Sequence, residues 1–466
     1  MKVAFFEFNQ NPWHLGLAFE IAQAEVASGN KVEFYFLGHN TNTNVRNVYI
    51  PTNRLIRESF LPETRIGKKL EKKLAGKFKY INKVSILSHE SNFLPEKSEN
   101  AETAAKNDLI DQLRDSNPDF YQHEYELKNK VSAYGQTYRL ISSLINKNKY
   151  ERIYTFNGRF LHERAVWDVA NELNIPCYFH EKFEPNWGNR YWIFKKGVHN
   201  SGERAQVIND YWDSQTLKLD EKLSIAQDWL NARRNRKSQN YTKLQKSGHS
   251  ISMNDKFVLF LHSSDDELIA SGLGYSEFWG RQEEALIKLS EYFTKNSELK
   301  LVIRAHPNLL TRSENEKTRW LGIFEKVNAT IIPPDASIDT YQLIIDSEAV
   351  MTFGSTAGIE TSLLGKPSLL LGPALHSDLN ATISVQSEEE LTHLLAKLKD
   401  ESLDISSFVL QAHKYALFYA KGGQRFLFNQ IIGSFDSQDP EMKVEGIKLK
   451  YRAKFQKLAS LSNKFF

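Results

Sequence analysis

Residues 351–372, MTFGSTAGIETSLLGKPSLLLG, carry hydroxyl and carboxylate side chains at positions suited to ligand binding. A buried strand is predicted to end at Gly354, so Ser355 and Thr356 stand where a helix begins. Backbone N–H groups and the helix dipole favour an anion at such a point, and the two hydroxyls add donors. Glu360, further into the helix, could accept hydrogen bonds from ribose hydroxyls. The alternative is an ordinary helix cap, because Ser and Thr are common in that role.

Two other predicted strand ends carry groups of the same kind. In LKLVIRAHPNLL, Arg304 and His306 lie at a strand end, and a cation beside an imidazole suits a diphosphate or phosphodiester leaving group. In FLHSSDDE, Ser263 and Ser264 are small enough to let a ligand come close. A solvent-exposed loop would explain the histidine as well. The acidic residues of FLHSSDDE favour a solvated helix start over a metal site, since no metal-ligand spacing is found.

A fourth stretch, YTFNGRFLHERAVWDVANELNIPCYFHEKF, places polar residues after two successive predicted strands. Asn157 and Arg159 follow one strand and are candidate contacts for a phosphate or an acidic acceptor. His180, at the end of the next strand, is a third such contact. Glu181, or His14 in the loop after the first strand of the chain, could remove a proton from an acceptor hydroxyl. A capped turn and a surface salt bridge form the alternative interpretation.

The elements that position these residues follow a β-α-β rhythm. The apolar pattern predicts strands over residues 3–8, 31–37, 152–156, 176–180, 257–262, 300–304, 329–332, 349–353 and 367–371. It predicts helices over 15–28, 161–173, 280–296, 355–364 and 387–399. Such alternation implies parallel sheets with right-handed crossovers, and ligands bind beyond the carboxyl ends of their strands. The predicted class is therefore α/β, with two Rossmann-like doubly wound domains facing each other.

The predicted domain boundaries follow changes in composition. Residues 1–235 form the N-terminal domain, and the Lys-, Glu- and Asn-rich segment 52–130 is a helical insertion in it. A polar linker leads to the second domain, 251–400. Residues 401–466 are expected to form C-terminal helices, for which packing against the N-terminal domain is one arrangement.

Bulk properties agree with two soluble domains. A chain of 466 residues exceeds the size at which one core stops growing. Its net charge of +3 gives no reason to expect nucleic acid as a partner. The single cysteine, Cys177, fits a reducing compartment. No signal peptide and no membrane-spanning stretch are found, which predicts a protein that is cytoplasmic or peripheral at the inner membrane.

The C-terminal tail, EMKVEGIKLKYRAKFQKLASLSNKFF, is basic. Its apolar residues Tyr451, Phe455, Leu458 and Phe465 recur at near-helical spacing, with lysines and an arginine between them. Such a helix could dock on an anionic inner-membrane surface, where a lipid-linked acceptor would lie. A solvated helix that packs back on the protein is the alternative.

Four stretches together resemble the capsule polysaccharide biosynthesis glycosyltransferases, a group that includes bacterial Kdo transferases of capsule assembly. The likeness rests on NGR at 157–159, HE at 180–181, RAHP at 304–307, and GSTAGIE at 354–360 followed by GKP at 365–367. It covers residues 150–375 and, loosely, the first strand. The histidine–proline and serine–threonine stretches are also similar to those of bacterial sialyltransferases and of polyol-phosphate transferases of teichoic-acid type.

The resemblance implies a GT-B fold and a donor held mainly by the C-terminal domain, with His306, Ser355 and Thr356 at the donor phosphate and nucleotide. It implies sugar transfer without a metal or other cofactor. A CMP-sugar such as CMP-Kdo is the favoured donor, and a UDP-sugar is the other. The acceptor would be a growing capsule, lipopolysaccharide or other surface glycan or glycolipid. The catalytic base is not fixed by the resemblance.

Other functions fit the same pattern. One is a sugar-nucleotide epimerase, which also uses two Rossmann-like domains. Another is a polyol-phosphate transferase of teichoic-acid type. A third is a non-catalytic protein that binds nucleotide sugars. The fold cannot separate these functions, because function depends on the site.

Overall fold

The computed structural model describes residues 1–8, 12–36, 72–73, 79–81, 99–183, 190–235, 255–296, 298–432, 441–444 and 446–450. The chain divides into two compact units. The first comprises Met1–Asp108, Asp119–Val198 and Gly423–Phe466, and the second comprises Leu109–Pro118 and His199–Gly422. This division differs from the sequence-based boundaries, because residues 199–235 belong to the second unit and the described residues after Gly422 belong to the first.

A seven-stranded sheet forms the centre of the first unit. Its strands are β1 (Lys2–Glu7), β2 (Lys31–Phe36), β3 (Lys79–Ile81), β4 (Arg152–Phe156), β5 (Cys177–Lys182), β6 (Arg190–Phe194) and β13 (Gln424–Arg425). They pair in the order β13-β6-β5-β4-β1-β2-β3. Strands β1 to β5 are parallel, whereas β6 runs antiparallel to β5, and β13 pairs antiparallel with β6 at the edge of the sheet. The parallel part has the doubly wound order of nucleotide-binding sheets.

The helices of the first unit flank this sheet. They are α1 (Pro12–Ala27), α2 (Glu99–Leu113), α3 (Glu124–Asn148) and α4 (Leu161–Glu172), and the boundary between the units falls within α2. Helix α1 is apolar on nearly all sides, as expected for a helix that is covered on two sides. One cover is the seven-stranded sheet, and the other is a small antiparallel sheet. The strands of this small sheet are β14 (Gln430–Ile432), β15 (Glu441–Val444) and β16 (Ile447–Lys450). Glu20 of α1 fixes the chain nearby by accepting backbone hydrogen bonds from Leu427, Phe428 and Asn429.

A six-stranded, all-parallel sheet forms the centre of the second unit. Its strands are β7 (Phe257–Leu261), β8 (Lys300–Arg304), β9 (Thr330–Ile332), β10 (Ala349–Phe353), β11 (Ser368–Gly372) and β12 (Ile383–Ser384). They pair in the order β12-β11-β10-β7-β8-β9. Strands β7 and β10 are buried along their whole length, as expected where helices cover both faces of a parallel sheet.

The helices of the second unit pack on both faces of its sheet and beside it. They are α5 (Ser201–Ser214), α6 (Leu219–Arg234), α7 (Asp266–Ala270), α8 (Gln282–Asn296), α9 (Glu314–Phe324), α10 (Thr340–Asp346), α11 (Ala357–Leu363), α12 (Glu388–Lys399) and α13 (Ser406–Lys421). Two apolar clusters form the core, one on each side of the strands. The predicted α/β class with two doubly wound parallel sheets is confirmed.

Two predicted regions differ in the structure. Segment 52–130 is not purely helical, because β3 adds to the sheet beside β2 and residues 109–118 belong to the second unit. Its parts at 52–71, 74–78 and 82–98 lie outside the described residues. Of the predicted C-terminal helices, α13 is present, but the described residues after it include the strands β13, β14, β15 and β16, because these segments pair with β6 and with each other.

The remaining tail, residues 451–466, with Tyr451, Phe455, Leu458 and Phe465, lies outside the described residues. Within the described part of the chain, none of the helices has the length and apolar character that a membrane crossing requires.

Candidate functional site

The strand order of the second sheet reverses between β7 and β10, and the predicted ligand residues lie at this edge. Doubly wound sheets bind ligands beyond the carboxyl ends of the strands at such a switch point. Ser263 and Ser264 follow β7, Gly354 to Thr356 follow β10, and His306 follows the neighbouring β8. The structure therefore brings these residues to one edge of one sheet.

Ser263 ties the two switch-point loops together. It is buried, its backbone N–H donates to Gln282 Oε1 at 2.8 Å, and its hydroxyl donates to the Phe353 carbonyl at 2.8 Å. Because that hydroxyl is already used, Ser263 shapes the site more than it offers a contact to a ligand. Its neighbour Ser264 lies closer to the charged part of the site.

His306 offers a neutral hydrogen-bond donor. Its Nδ1 accepts from the Asn308 backbone N–H at 3.0 Å, so the proton of the neutral ring is on Nε2. Its own backbone N–H donates to Nδ1 of the buried His262 at 3.0 Å, which fixes the loop. Burial lowers the pKa of His306 to about 4, and the positive charges of Arg312 and Arg304 contribute. The imidazole is therefore uncharged at neutral pH and presents an N–H.

Arg304 was predicted to contact a ligand phosphate, but its guanidinium is bound to backbone carbonyls. Its guanidinium donates to the Pro333 carbonyl and, at 3.2 Å, to the Ala336 carbonyl. These bonds hold the chain that follows β9. Arg304 is also largely buried, and burial lowers its pKa. It therefore supports the loop after β9 in this structure.

Arg312 occupies the position that was expected for the cation. It follows a short 3₁₀ turn, Pro307–Thr311, which directs it back toward the end of β7. Its Nη2 donates to Ser264 Oγ at 2.6 Å and lies 2.9 Å from Asp266 Oδ1. Arg312 was not predicted from the sequence, because it lies in an irregular segment with no motif of its own.

In the GST loop after β10, the backbone at the first residue has a conformation that only glycine tolerates. Gly354 has φ +84°, and a Cβ there would lie 2.4 Å from Leu268 Cδ1 and 2.9 Å from the Pro373 carbonyl. Ser355 Oγ accepts from the Ala357 N–H at 3.2 Å, as in a capping turn. Thr356 is exposed. The loop thus presents one hydroxyl to solvent and uses the other in its own turn.

Glu360 lies deeper than the sequence suggested. Its Oε1 accepts from Arg233 Nε at 2.6 Å, and its Oε2 accepts from the Tyr341 hydroxyl at 2.6 Å. The carboxylate is buried and its two oxygens already have partners. In this structure it holds α6 and α10 against α11.

The first sheet has its own switch point, between β1 and β4. Glu7, at the end of β1, is fully buried and its Oε1 lies 2.6 Å from Nε2 of the equally buried His180. His180 lies inside β5 and not at its end, because β5 continues to Lys182 to pair with β6. Burial raises the pKa of Glu7, and the neighbouring His180 opposes the rise.

Glu163 lies in the first turn of α4 beside this pair. Burial raises its pKa to about 8; the charges of Glu7 and Asp108 add to the rise, and the helix backbone and Arg159 oppose it. Asp108 in turn pairs with the buried Lys130 at 2.5 Å. Glu7 and Glu163 were not predicted as site residues. Glu7 lies within a predicted strand, and Glu163 has no feature that separates it from other acidic residues of a helix.

The two predicted bases lie in different surroundings. His14 is in α1, not in a loop, since that helix begins at Pro12. It packs on the Phe156 ring at 4.0 Å, and burial lowers its pKa well below the usual value, with Lys182 and His180 adding. Glu181 is half-buried, and its Oε2 accepts from Asn157 Nδ2 at 2.7 Å.

Asn157 and Arg159 belong to the turn after β4. Asn157 has φ +52°, a conformation that asparagine tolerates better than most residues, and its N–H donates to the His180 carbonyl at 3.1 Å. The guanidinium of Arg159 lies 4.5 Å from the centre of the Phe160 ring. Within the described ranges, no group of three His, Cys, Asp or Glu side chains is arranged to hold a metal ion.

Comparisons with known proteins give distant likenesses only. No protein-family model and no curated protein sequence matches the chain. Among solved structures, the β-Kdo 2,4 transferase of Thermosulfurimonas dismutans KpsC is similar with a TM-score of 0.37 and 12% identity over 57% of this chain and 80% of that one. The β-Kdo 2,7 transferase of the same KpsC has a TM-score of 0.36 and 11% identity over 86% and 97%.

A further solved structure is UDP-GlcNAc 2-epimerase from Neisseria meningitidis bound to UDP-GlcNAc. It has a TM-score of 0.31 and 12% identity over 90% of this chain and 97% of that one. At this level of similarity, no property of these proteins is transferred to the chain.

Proposed function

We propose that the protein is a glycosyltransferase that moves a sugar from a nucleotide-activated donor to a growing capsule, lipopolysaccharide or other surface glycan. A CMP-sugar such as CMP-Kdo is the favoured donor, and a UDP-sugar is the alternative. The second unit binds the donor, and the first unit binds the acceptor. The observation that carries this proposal is His306, a neutral imidazole with its proton on Nε2, which lies at the same carboxyl edge of the parallel sheet as the exposed Thr356.

The donor side would act by stabilising negative charge. As the bond from the sugar to phosphate breaks, charge grows on the departing phosphate, and fixed donors lower the energy of that state. His306 Nε2–H and the Thr356 hydroxyl are such donors. A hydrogen bond to a charged group contributes about 1.5–3 kcal/mol, so the loss of one should cost roughly 10- to 150-fold in affinity or rate.

On the acceptor side, Glu181 is the better of the two candidate bases. The lowered pKa of His14 makes its imidazole a weak proton acceptor at neutral pH. Glu181 is half-buried, and Asn157 and the Lys182 backbone N–H hold its carboxylate in one orientation. A carboxylate held in this way can take the proton of an incoming hydroxyl.

Nucleotide binding tests the donor assignment. Thermal shift and calorimetry with CMP, CDP, UDP and GDP are expected to show that one nucleotide raises the melting temperature of the wild type. His306→Ala should remove most of this effect. His393→Ala is the matched control, because His393 is exposed on α12 of the same unit. If none of the four nucleotides binds, the proposed function fails.

Transfer activity tests the base. With the donor sugar of the bound nucleotide and a panel of glycan acceptors, Glu181→Gln should lower kcat at least 100-fold and leave nucleotide binding unchanged. Glu172→Gln, an exposed position on α4, serves as the control. Full activity of Glu181→Gln would remove Glu181 from the mechanism.

A sugar-nucleotide epimerase is the second candidate. The observation that favours it is the buried group of Glu7, His180 and Glu163, whose side chains can hold or pass protons. An epimerase that exchanges a proton at a sugar carbon would introduce deuterium there from D₂O with no acceptor present. Deuterium incorporation without an acceptor would favour the epimerase, and acceptor-dependent release of nucleotide would favour the transferase.

A further inference from the structure

Arg312, Ser264 and Asp266 form a charged group at the end of β7 that the proposed function has not yet used. Nη2 of Arg312 holds both other residues, at 2.6 Å from Ser264 Oγ and 2.9 Å from Asp266 Oδ1. The Arg312 side chain is only 9% exposed and that of Asp266 only 4%. A cation is therefore fixed in a nearly buried position, near enough to His306 for its charge to help lower the pKa of that imidazole.

The guanidinium retains donors for another partner. Arginine has five N–H groups, and the contacts to Ser264 and Asp266 involve only those on Nη2. In the described part of the chain, no residue accepts a hydrogen bond from Nε or Nη1 of Arg312. Neither nitrogen is one of the fully buried side-chain nitrogens that lack a hydrogen-bond partner. The N–H groups of Nε and Nη1, which point to different sides of the oriented guanidinium, thus remain available as donors.

The charge of this group suits an anion. Asp266 is shared, because Arg114 Nη1 also donates to its Oδ2 at 3.3 Å. The Asp266 carboxylate then contacts two guanidinium groups. Together, Arg312, Arg114 and Asp266 carry a net positive charge. Arginine is a frequent phosphate ligand, because its N–H donors carry a positive charge, and Nε or Nη1 can donate to a phosphate oxygen.

We infer that Arg312 binds the phosphate of the nucleotide donor directly, with Ser264 and Asp266 as the residues that orient its guanidinium. This inference rests on the proposed function, since it places a phosphate at the same strand ends. Arg312 supplies the positive charge that the neutral His306 lacks. Arg304, whose guanidinium is engaged by backbone carbonyls, does not supply it.

The test compares each nucleotide with its nucleoside, by calorimetry of CMP against cytidine and of UDP against uridine. Arg312→Gln keeps hydrogen-bond donors but removes the charge. It is expected to lower nucleotide affinity at least tenfold and to leave nucleoside affinity unchanged. Arg312→Lys, which keeps the charge, should restore part of the loss. Arg234→Ala, an exposed arginine at the end of α6, is the control.

A second pair of variants guards against misfolding, because Arg312→Gln leaves Asp266 with a weaker partner. Asp266→Asn alone keeps Arg312 and should bind nucleotide at least as well as the wild type. Adding Arg312→Gln to Asp266→Asn should bring the tenfold loss back.

The outcomes separate the two proposals. If the wild type binds no nucleotide, the proposed function fails and this inference fails with it. If His306→Ala loses nucleotide binding but the Arg312 variants bind like the wild type, the inference alone is overturned. An equal loss for nucleotide and nucleoside would also overturn it, because a phosphate contact cannot explain such a loss.

Discussion

Replacement of Glu163 by Gln should stabilise the protein at neutral pH. The folded-state pKa of Glu163 is about 8, whereas the ordinary value is 4.5. Between these values the folded protein binds more protons than the unfolded chain, so the free energy of unfolding falls as pH rises through this window. The protonated carboxyl contributes its full share of the free energy of unfolding below about pH 4.5, and this contribution is lost by about pH 8.

The size of the effect follows from that shift. From 4.5 to pH 7 is 2.5 pH units, and at about 1.4 kcal/mol per unit the wild type loses roughly 3–4 kcal/mol. At pH 5 the same calculation gives about 1 kcal/mol. Glutamine resembles the protonated carboxyl and does not titrate. Glu163→Gln should therefore gain about 2–3 kcal/mol more over the wild type at pH 7 than at pH 5.

Urea unfolding followed by tryptophan fluorescence at pH 5 and pH 7 measures this difference. Glu172→Gln is the matched control, because Glu172 is exposed on the same helix and should follow the wild type at both pH values. Equal effects of Glu163→Gln at pH 5 and pH 7 would refute the reasoning. The carboxyl would then be ionised in the folded state at both values, and its burial would carry no cost.

Three further predictions concern other positions. Gly158→Ala should lower the free energy of unfolding by about 2–4 kcal/mol, because φ is +88° and a Cβ would lie 2.6 Å from the Phe179 ring. Gly29→Ala is the comparison: φ is +81° there too, but the space is open, so chemical unfolding should show a loss of only about 1–2 kcal/mol. Glu20→Gln weakens three backbone hydrogen bonds, so limited proteolysis should cut the chain near residues 427–429 faster, and an unchanged pattern would contradict the role of this carboxylate. The ring of His306 should show an unprotonated Nδ1 and no titration between pH 5.5 and 8 in ¹⁵N NMR, and a midpoint near 6.5 would contradict the neutral tautomer.

Much of the architecture was predictable because apolar runs of strand length are strong signals in parallel sheets. The predicted strands at 152–156, 300–304 and 349–353 match β4, β8 and β10 residue for residue. The strand order was not predictable in detail, since no local pattern shows that β3 joins β2. The antiparallel edge strand β13 was missed for the same reason, because its two residues are strand only through their pairing with β6.

The candidate site was predictable where the chain leaves a strand, and not elsewhere. His306 and Thr356 were found because each follows a buried strand directly. Arg304 and Glu360 have suitable chemistry, but backbone carbonyls and an arginine–tyrosine pair already occupy them. Arg312 was missed because a 3₁₀ turn brings it back to the site, and that return depends on tertiary packing.

The chain passes between the two units four times, after residues 108, 118, 198 and 422. Neither unit is therefore one continuous length of polypeptide, and a cut near residue 235 would leave both fragments incomplete. The unit that contains the N-terminus receives an edge strand and the cover of α1 from residues beyond 422. During synthesis on the ribosome, this unit begins first yet is completed last. Fragments that end before residue 423 should expose the apolar surface of α1 and bind chaperones, even though they contain every other strand of that sheet.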